Sequence, residues 1–117
     1  MPDVAQLDAA LNEMINQGKA LEAFEQFYAD DVVMMENDEV FEGKEVNRKR
    51  EMEFFGSIEQ VHSAGIGVSA VRGDVSFCEQ HFDVTFKDGR RVKMEEVAVR
   101  WWRDGKVVKE RFYYKGG

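Results

Sequence analysis

The chain has 117 residues, of which 44% are hydrophobic and 33% are charged, and this composition predicts one soluble globular domain over residues 1–117. The net charge of −7 argues against a nucleic-acid-binding protein, because phosphates require a basic surface. No apolar run approaches the roughly 20 residues that cross a membrane, and the first residues lack the basic start of a signal peptide. Cys78 is the only cysteine, so no internal disulfide is possible, and we expect a protein of the reducing cytoplasm.

The first half of the chain predicts three helices and a short strand. The first helix follows from apolar residues at helical spacing between Pro2 and Gly18, namely Val4, Leu7, Leu11, Met14 and Ile15. The second lies in "KALEAFEQFYADD" and the third in "GKEVNRKREMEFFG". Between them, "VVMM" reads as a strand that ends at the turn-forming "END".

The second half alternates apolar and polar residues, as strands do. The alternating apolar residues are Ile66, Val68 and Ala70, then Phe82, Val84 and Phe86, then Val97, Val99 and Trp101. Three turn signals separate these runs, at 73–74, 88–89 and 104–105. Helices followed by an antiparallel meander predict an α+β fold, with three N-terminal helices packed on a curved, mostly antiparallel sheet.

The order of these elements, together with "YADDVVMMEND", "FEGKE" and the closing "RWWRDGKVVKERFYY", resembles the SnoaL-like branch of the nuclear transport factor 2-like superfamily. That branch includes ketosteroid isomerases, limonene epoxide hydrolases and polyketide cyclases, and the resemblance covers nearly the whole chain. It implies a cystatin-like cone whose sheet curls around the helices and leaves a mostly apolar pocket for a small molecule. A fold shared by many activities does not select one of them.

Glu36 is the first candidate catalytic residue. The resemblance places it where the isomerases carry their proton-shuttling carboxylate, whereas strand alternation alone leaves it either in a pocket or in a solvated turn. The isomerase oxyanion hole is not matched, because Leu11 or Asn12 stands where its tyrosine would be and no carboxylate lies at Val97–Val99. The isomerase activity therefore does not follow from the resemblance.

His81 is the second candidate. A two-residue turn at Asp88-Gly89 would pair His81 with Glu96 and Asp83 with Met94. A His–carboxylate pair suits general acid–base catalysis, and the alternative is a solvated cross-strand pair. The resemblance implies that His81 and Asp83 face the pocket.

That assignment of faces leaves the opposite side chains of the same strand, Phe82, Val84 and Phe86, for the interface of a homodimer. A dimer of this chain is therefore one of the expectations that follow from the resemblance.

The two hairpins give conflicting registers for Glu110. A two-residue turn at 104–105 pairs Val99 with Glu110 and puts Glu110 on the face opposite to Glu96, whereas the resemblance implies that Glu110 lies inside. We therefore expect a β-bulge in one hairpin and keep Glu110 as a candidate. The other candidate pocket residues are Phe24, Tyr28 and Met34, for which core packing is the alternative, and Trp102. Trp101 and Trp102 lie on opposite faces of their strand, so one of them faces the interior and the other faces solvent or a partner subunit.

Two classes of function remain open on the sequence. The first is a cofactor-free enzyme of isomerase, cyclase or hydrolase type, in which Glu36, helped by His81, Glu96 and Asp83, moves a proton on a small apolar substrate. The second is a non-catalytic module that binds a ligand, dimerises or acts as an adaptor. We expect no metal, because two histidines nineteen positions apart and one cysteine match no common zinc spacing.

Overall fold

The computed structural model describes residues 2–115. Within this range the helices are α1 (Val4–Asn16), α2 (Ala20–Phe27) and α3 (Lys44–Gly56). The strands are β1 (Tyr28–Glu36), β2 (Glu39–Glu42), β3 (Ile58–Arg72), β4 (Val75–Phe86), β5 (Arg91–Arg103) and β6 (Lys106–Tyr113). The predicted α+β class and the three N-terminal helices are confirmed. No helix in the described range is long and apolar enough to cross a membrane.

The strands form one sheet in the order β2-β1-β6-β5-β4-β3. All neighbours are antiparallel except β1 and β6, which run parallel. Helix α1 packs on β3 and β4, and α3 packs on β1 and β2. The far end of α3 reaches β4, where the Phe54 ring lies 5.5 Å from that of Phe82 and 5.9 Å from that of Phe86. The helices therefore cover one face of the sheet, the inner face.

Helix α1 begins with a capping box. The Asp3 carboxylate accepts a hydrogen bond from the Gln6 backbone N–H at 2.9 Å, and the Gln6 side chain accepts one from the Asp3 N–H at 3.0 Å. These two bonds satisfy amide groups that the first turn of a helix leaves free. The helix ends before Gly18, whose φ of +80° suits glycine.

Helix α2 is shorter than predicted, because the backbone is already extended at Tyr28. The first strand therefore begins four residues before "VVMM". Its pairing with β6 is irregular between Tyr28 and Val33, so that Tyr28 and Val32 are both buried although four positions separate them.

The short strand β2 was not predicted. After a left-handed Asn37 (φ +52°) the chain turns back and pairs with β1, for example Met34 with Phe41. The fully buried Asn47 of α3 holds this region in place by donating hydrogen bonds to the carbonyls of Phe41 and Gly43 at 3.0 and 2.8 Å.

The predicted register of the β4–β5 hairpin is wrong by one residue. The Phe86 N–H donates to the Arg90 carbonyl and the Gly89 N–H to the Phe86 carbonyl, so the loop has three residues, with Gly89 at φ +90°. His81 consequently pairs with Glu95, and Glu96 pairs with Gln80. A one-residue shift moves every side chain to the other face.

The expected bulge lies in the β5–β6 hairpin. Trp102 pairs with Val107, but Trp101 pairs with Lys109, so Val108 is the extra residue on β6. Beyond the bulge Arg100 pairs with Glu110. The bulge therefore turns Glu110 to the inner face, which it shares with Arg100.

Candidate functional site

The inner face carries polar residues across its centre. The buried polar and charged residues of this region are Asp8, Asn12, Ser76, Arg100 and Glu110. Together with Tyr28 and Trp102, which bond to them, they form a set that we call the paired network. Asp8 and Asn12 come from one face of α1, because residues four apart in a helix are neighbours.

Arg100 is the centre of the paired network and is 1% exposed. Its Nε donates to Glu110 Oε2 at 2.7 Å. Its Nη1 donates to Asp8 Oδ1 at 2.9 Å and to Asn12 Oδ1 at 2.6 Å. Each buried charge thus has a charged partner, which is the condition for burying an ion pair at tolerable cost.

Two further side chains saturate the network at its ends. The Tyr28 hydroxyl donates to Glu110 Oε2 at 2.7 Å, and burial followed by the Glu110 charge raises the pKa of Tyr28. At the other end Ser76 Oγ donates to Asp8 at 2.7 Å and accepts from the Trp102 Nε1–H at 3.0 Å. The network ties α1 to strands β1, β4, β5 and β6.

Glu36 lies at the end of β1, on the same side as the buried Val32 and Met34. Its side chain is 30% exposed, and its Oε1 lies 3.6 Å from the Arg50 guanidinium of α3. Its Oε2 is buried and has no hydrogen-bond partner among the described residues. Burial is the main cause that raises the pKa of Glu36, and Arg50 opposes it.

Near Glu36, the largest pKa shifts are those of Glu51 in α3 and Glu96 in β5. Burial, and next the charge of Glu110, raise the pKa of Glu51 to about 7. Burial also raises the pKa of Glu96 to about 7, against a hydrogen bond of 2.5 Å that it accepts from Gln80. The charge of Glu36 acts on both carboxyls. We call Glu36, Glu51 and Glu96 the acidic cluster.

Arg50 is the cation that stands next to this cluster. Its guanidinium lies 3.5 Å from the centre of the Phe41 ring and donates to Asn47 Oδ1 at 2.9 Å. These contacts hold it beside Glu36. The pKa of the Tyr114 phenol is raised by burial, with Glu36 and Glu96 as the next causes, so a hydroxyl donor also lies within electrostatic reach of the cluster.

The acidic cluster has the properties of a proton-transfer site. A carboxyl group with a pKa near 7 is partly protonated at neutral pH, so it can act as an acid or as a base. Groups with shifted pKa values concentrate at functional sites, because catalysis needs acids and bases that titrate near the working pH. Of its members, Glu36 and Glu96 were candidates on the sequence and Glu51 was not.

His81 and Asp83 lie on the opposite face of the sheet from Glu96. His81 is exposed, and its Nε2 lies 2.8 Å from Ser63 Oγ. Asp83 forms two hydrogen bonds of 2.9 Å with Arg91, and Arg91 lowers the pKa of Asp83. The predicted His81–Glu96 pair is therefore wrong, because the three-residue loop separates the two side chains by the thickness of the sheet.

The predicted pocket-lining residues all lie in the packed interior. Phe24, Tyr28, Met34 and Trp102 belong to the main hydrophobic core, and each is at most 6% exposed. The Phe24 and Tyr28 rings are 4.9 Å apart. Their neighbours are protein side chains, so core packing accounts for them, and contact with a ligand stays a prediction.

Two open hollows lie outside the acidic cluster. One, of about 510 Å³, runs between α1 and β3 and is lined by Asn16 and Ile66 among others. The other, of about 620 Å³, includes Ser63, His81 and Lys93. In the described part of the chain, no group of three or more His, Cys, Asp or Glu side chains is arranged to hold a metal ion.

Comparison with known families agrees with this architecture. The model of the SnoaL-like domain family matches residues 3–114, which is nearly the whole chain. This chain belongs to the SnoaL-like family. No curated protein matches this SnoaL-like chain.

Solved structures support the same assignment. A Mesorhizobium loti protein, provisionally named a SnoaL-like polyketide cyclase and carbohydrate phosphatase, is 32% identical to this SnoaL-like chain with a TM-score of 0.88, and the match covers 97% of this chain and 100% of that one. A nuclear transport factor 2-like protein of unknown function from Burkholderia pseudomallei is 15% identical (TM-score 0.79; 98% and 92% covered). A Xanthomonas campestris protein, provisionally named a polyketide cyclase, is 19% identical (TM-score 0.76; 96% and 90% covered). The last two show the fold alone.

Proposed function

We propose that this chain binds a small, largely apolar organic molecule over the acidic cluster and transfers a proton on it without a cofactor. The observation that carries this proposal is the buried Oε2 atom of Glu36, which has no hydrogen-bond donor among the described residues. A buried acceptor without a donor costs roughly 1–3 kcal/mol. A substrate C–H, O–H or N–H group would occupy that place in the working complex.

The chemistry fits a cyclase, isomerase or hydrolase type of reaction. Glu36 is the group that takes the proton, because its free oxygen is buried. Glu51 and Glu96, with pKa values of about 7, return a proton or donate a hydrogen bond to a developing oxyanion. The polyketide cyclase name of the Mesorhizobium loti relative suggests a carbonyl-bearing cyclic substrate.

Exchange of α-protons for deuterium tests this proposal without knowledge of the natural substrate. The probe is 2-tetralone, an apolar cyclic ketone, dissolved in D₂O with the protein and followed by proton NMR. We expect the protein to accelerate exchange and Glu36→Gln to reduce the acceleration roughly 100-fold, the usual contribution of a general base. Glu95→Gln, on the outer face of β5, is the matched control and should exchange as the unaltered chain does.

Equal exchange rates for the unaltered chain and the Gln variants of all three cluster residues would contradict the enzyme. If the probe then still shifts the amide signals of β1 and β5, the protein is a binding module. That outcome would support the second class of function, a non-catalytic module that binds a ligand without proton transfer.

We propose in addition that a second copy of the chain covers the outer face of the sheet. Phe77, Val97 and Tyr113 lie there and are 40%, 39% and 42% exposed, and apolar residues this exposed on adjacent strands mark interaction surfaces. The predicted interface of Phe82, Val84 and Phe86 is corrected, because these side chains share the inner face with the buried Ser76 and Cys78.

The charges on the outer face favour a copy of the same chain over another partner. Lys109 and Arg111 lie on β6, Glu79 and Glu95 on β4 and β5, and the apolar residues lie between them. A two-fold axis parallel to β5 and through Val97 would place β6 of each copy, with Lys109 and Arg111, against β4 of the other, with Glu79. Sedimentation should give a dimer that Val97→Glu converts to a monomer, whereas a monomeric unaltered chain would overturn the assignment.

A further inference from the structure

Glu110 is the member of the paired network that lies next to Glu36 in the sheet, because it pairs with Met34 and the following inner-facing pair on the same two strands is Glu36 with Phe112. It is 1% exposed, and Tyr28 and Arg100 both donate to its Oε2 atom. Acceptance of one neutral and one charged hydrogen bond by a single oxygen is the geometry of an ionised carboxylate. The bulge at Val108 and the pairing with Arg100 fix its position in the sheet.

The paired network carries more negative than positive charge. It contains two carboxylates, Asp8 and Glu110, and one cation, Arg100, which bonds to both. One cation cannot neutralise two anions, so one negative charge stays in the protein interior. Its field is only weakly screened there, because the interior has a low effective dielectric constant.

We propose that Glu110 is a positioning residue of the proton-transfer site, a fixed buried anion whose field retains protons on the carboxyl groups of the acidic cluster in neutral solution. The inference rests on the proposed function, since it concerns the same carboxyl groups.

The electrostatics of each cluster member agree with this role. After burial, the charge of Glu110 is the next cause that raises the pKa of Glu51. It also raises the pKa of Glu36 and of Glu96. Other titratable or charged groups act on these carboxyls or on the network from the elements packed around them. They are Asp8 of α1, Tyr28 of β1, Glu39 of β2, Arg50 of α3, Cys78 of β4, Arg100 of β5 and Tyr114 after β6.

Carbon-13 NMR titration of the glutamate carboxyls tests the inference. Glu110→Gln keeps the shape of the side chain and can still accept from Tyr28 and Arg100, but it removes the charge. We expect the titration midpoints of Glu51 and Glu96 to fall by about one pH unit, and the pH profile of 2-tetralone exchange to move to lower pH with them. Glu110→Asp keeps the charge and should keep the midpoints.

Controls separate this role from a merely structural one. Glu95→Gln removes a charge from the outer face of the same strand and should leave both midpoints in place. Asp8→Asn is a second variant, to be used if Glu110→Gln does not fold. Because it removes the other carboxylate that bonds to Arg100, Arg100 then neutralises Glu110 only. The midpoints of Glu51 and Glu96 should then fall by a smaller amount. Unchanged midpoints in the folded variants would overturn the inference.

The proposed function and this inference fail in distinguishable ways. Midpoints of about 4.5 for Glu51 and Glu96 in the unaltered chain would remove the basis of both. Raised midpoints that neither Glu110→Gln nor Asp8→Asn lowers would leave the proton-transfer site intact and assign its perturbation to burial alone.

Discussion

Asp8 and Glu110 lie on the side of the sheet that the helices cover, as Glu36, Glu51 and Glu96 do, but the two groups of acids differ in burial and in pairing. The first group is buried to 2% exposure or less and bonded to Arg100. The second is partly exposed, and its neighbouring cation, Arg50, stands 3.6 Å from Glu36. Buried acids with charged partners belong to the structural core, whereas acids with raised pKa values and incomplete pairing indicate a candidate functional site.

Removal of Arg100 should have the largest effect on the fold. Arg100→Met leaves Asp8 and Glu110 buried without a cation, and we expect the free energy of unfolding to fall by about 3–5 kcal/mol. Urea denaturation measures the change. Arg103→Met, at an exposed 3.5 Å pair with Asp31, is the control and should cost at most about 1 kcal/mol. Equal losses for the two variants would contradict the role assigned to the network.

Removal of the Glu51 carboxyl should increase the free energy of unfolding, opposite to the effect of removing Arg100, and the increase should depend on pH. Its pKa is about 7 when folded and 4.5 when unfolded, so between these values the unfolded chain has released a proton that the folded chain keeps. Stability therefore falls as the pH rises from about 4.5 to 7 and is level above.

We expect Glu51→Gln to raise the free energy of unfolding by about 3 kcal/mol at pH 8 and to leave it nearly unchanged at pH 4. Denaturation at several pH values measures the gain. Glu53→Gln, an exposed position on the same helix, is the control. A gain that is equal at both pH values would place the effect in helix propensity and not in the carboxyl group.

Removal of the Tyr28 hydroxyl tests how much its hydrogen bond to Glu110 contributes to stability compared with the charge of Arg100. Tyr28→Phe removes one of the two hydrogen bonds to Glu110 and should cost about 1.5 kcal/mol, less than Arg100→Met because the cation remains. Thermal denaturation measures the cost, with Tyr113→Phe on the outer face as control. A cost above that of Arg100→Met would mean that the phenol, and not the guanidinium, holds Glu110.

His81 should have the smallest effect. It is exposed on the outer face, so His81→Ala should change stability by no more than about 0.5 kcal/mol and leave 2-tetralone exchange unaltered. Deuterium exchange and urea denaturation measure both quantities. A tenfold loss of exchange would return the imidazole to the catalytic site and refute the assignment of faces.

The elements of the fold could be predicted because their signals are local. Alternation and the turn signals at 73–74, 88–89 and 104–105 gave β3, β4, β5 and β6, and helical spacing gave α1. Strand β2 was missed because "EVFE" has two apolar residues in four, and its pairing with β1 depends on the turn at Asn37. Helix α2 was drawn too long because Tyr28 continues its apolar face.

The register of β4 and β5 could not be predicted, because "KDGR" fits a two-residue or a three-residue loop equally well. The choice depends on which face the helices cover, and that is tertiary information. One residue in this loop moves His81 from the candidate site to the outer face. The bulge in the other hairpin was expected from the conflict over Glu110, but nothing local marks Val108 as its position.

The paired network was missed because charged residues are usually at the surface. A signal was present. Arg100 stands in "VAVRWW" with the parity of Ala98 and Trp102, and Asp8 and Asn12 flank Leu11 on the buried face of α1. The sequence indicates the position of Glu51 less clearly, because the apolar stripe of α3 is too thin to show which face of the helix is buried. Which acids remain unpaired is a property of the packed chain.

The extra residue at Val108 predicts where this chain tolerates changes of length. Insertions at the tips of the β3–β4 and β4–β5 hairpins leave the ladders as they are, so such variants should fold. Deletion of Val108 would remove the extra residue and leave Glu110 opposite Arg100, so this variant should also fold, whereas deletion of Trp101 would move Glu110 away from its position opposite Arg100. A scan of single-residue deletions should therefore show folded protein when Val108 is removed and its largest loss of folded protein at the paired positions on either side of it.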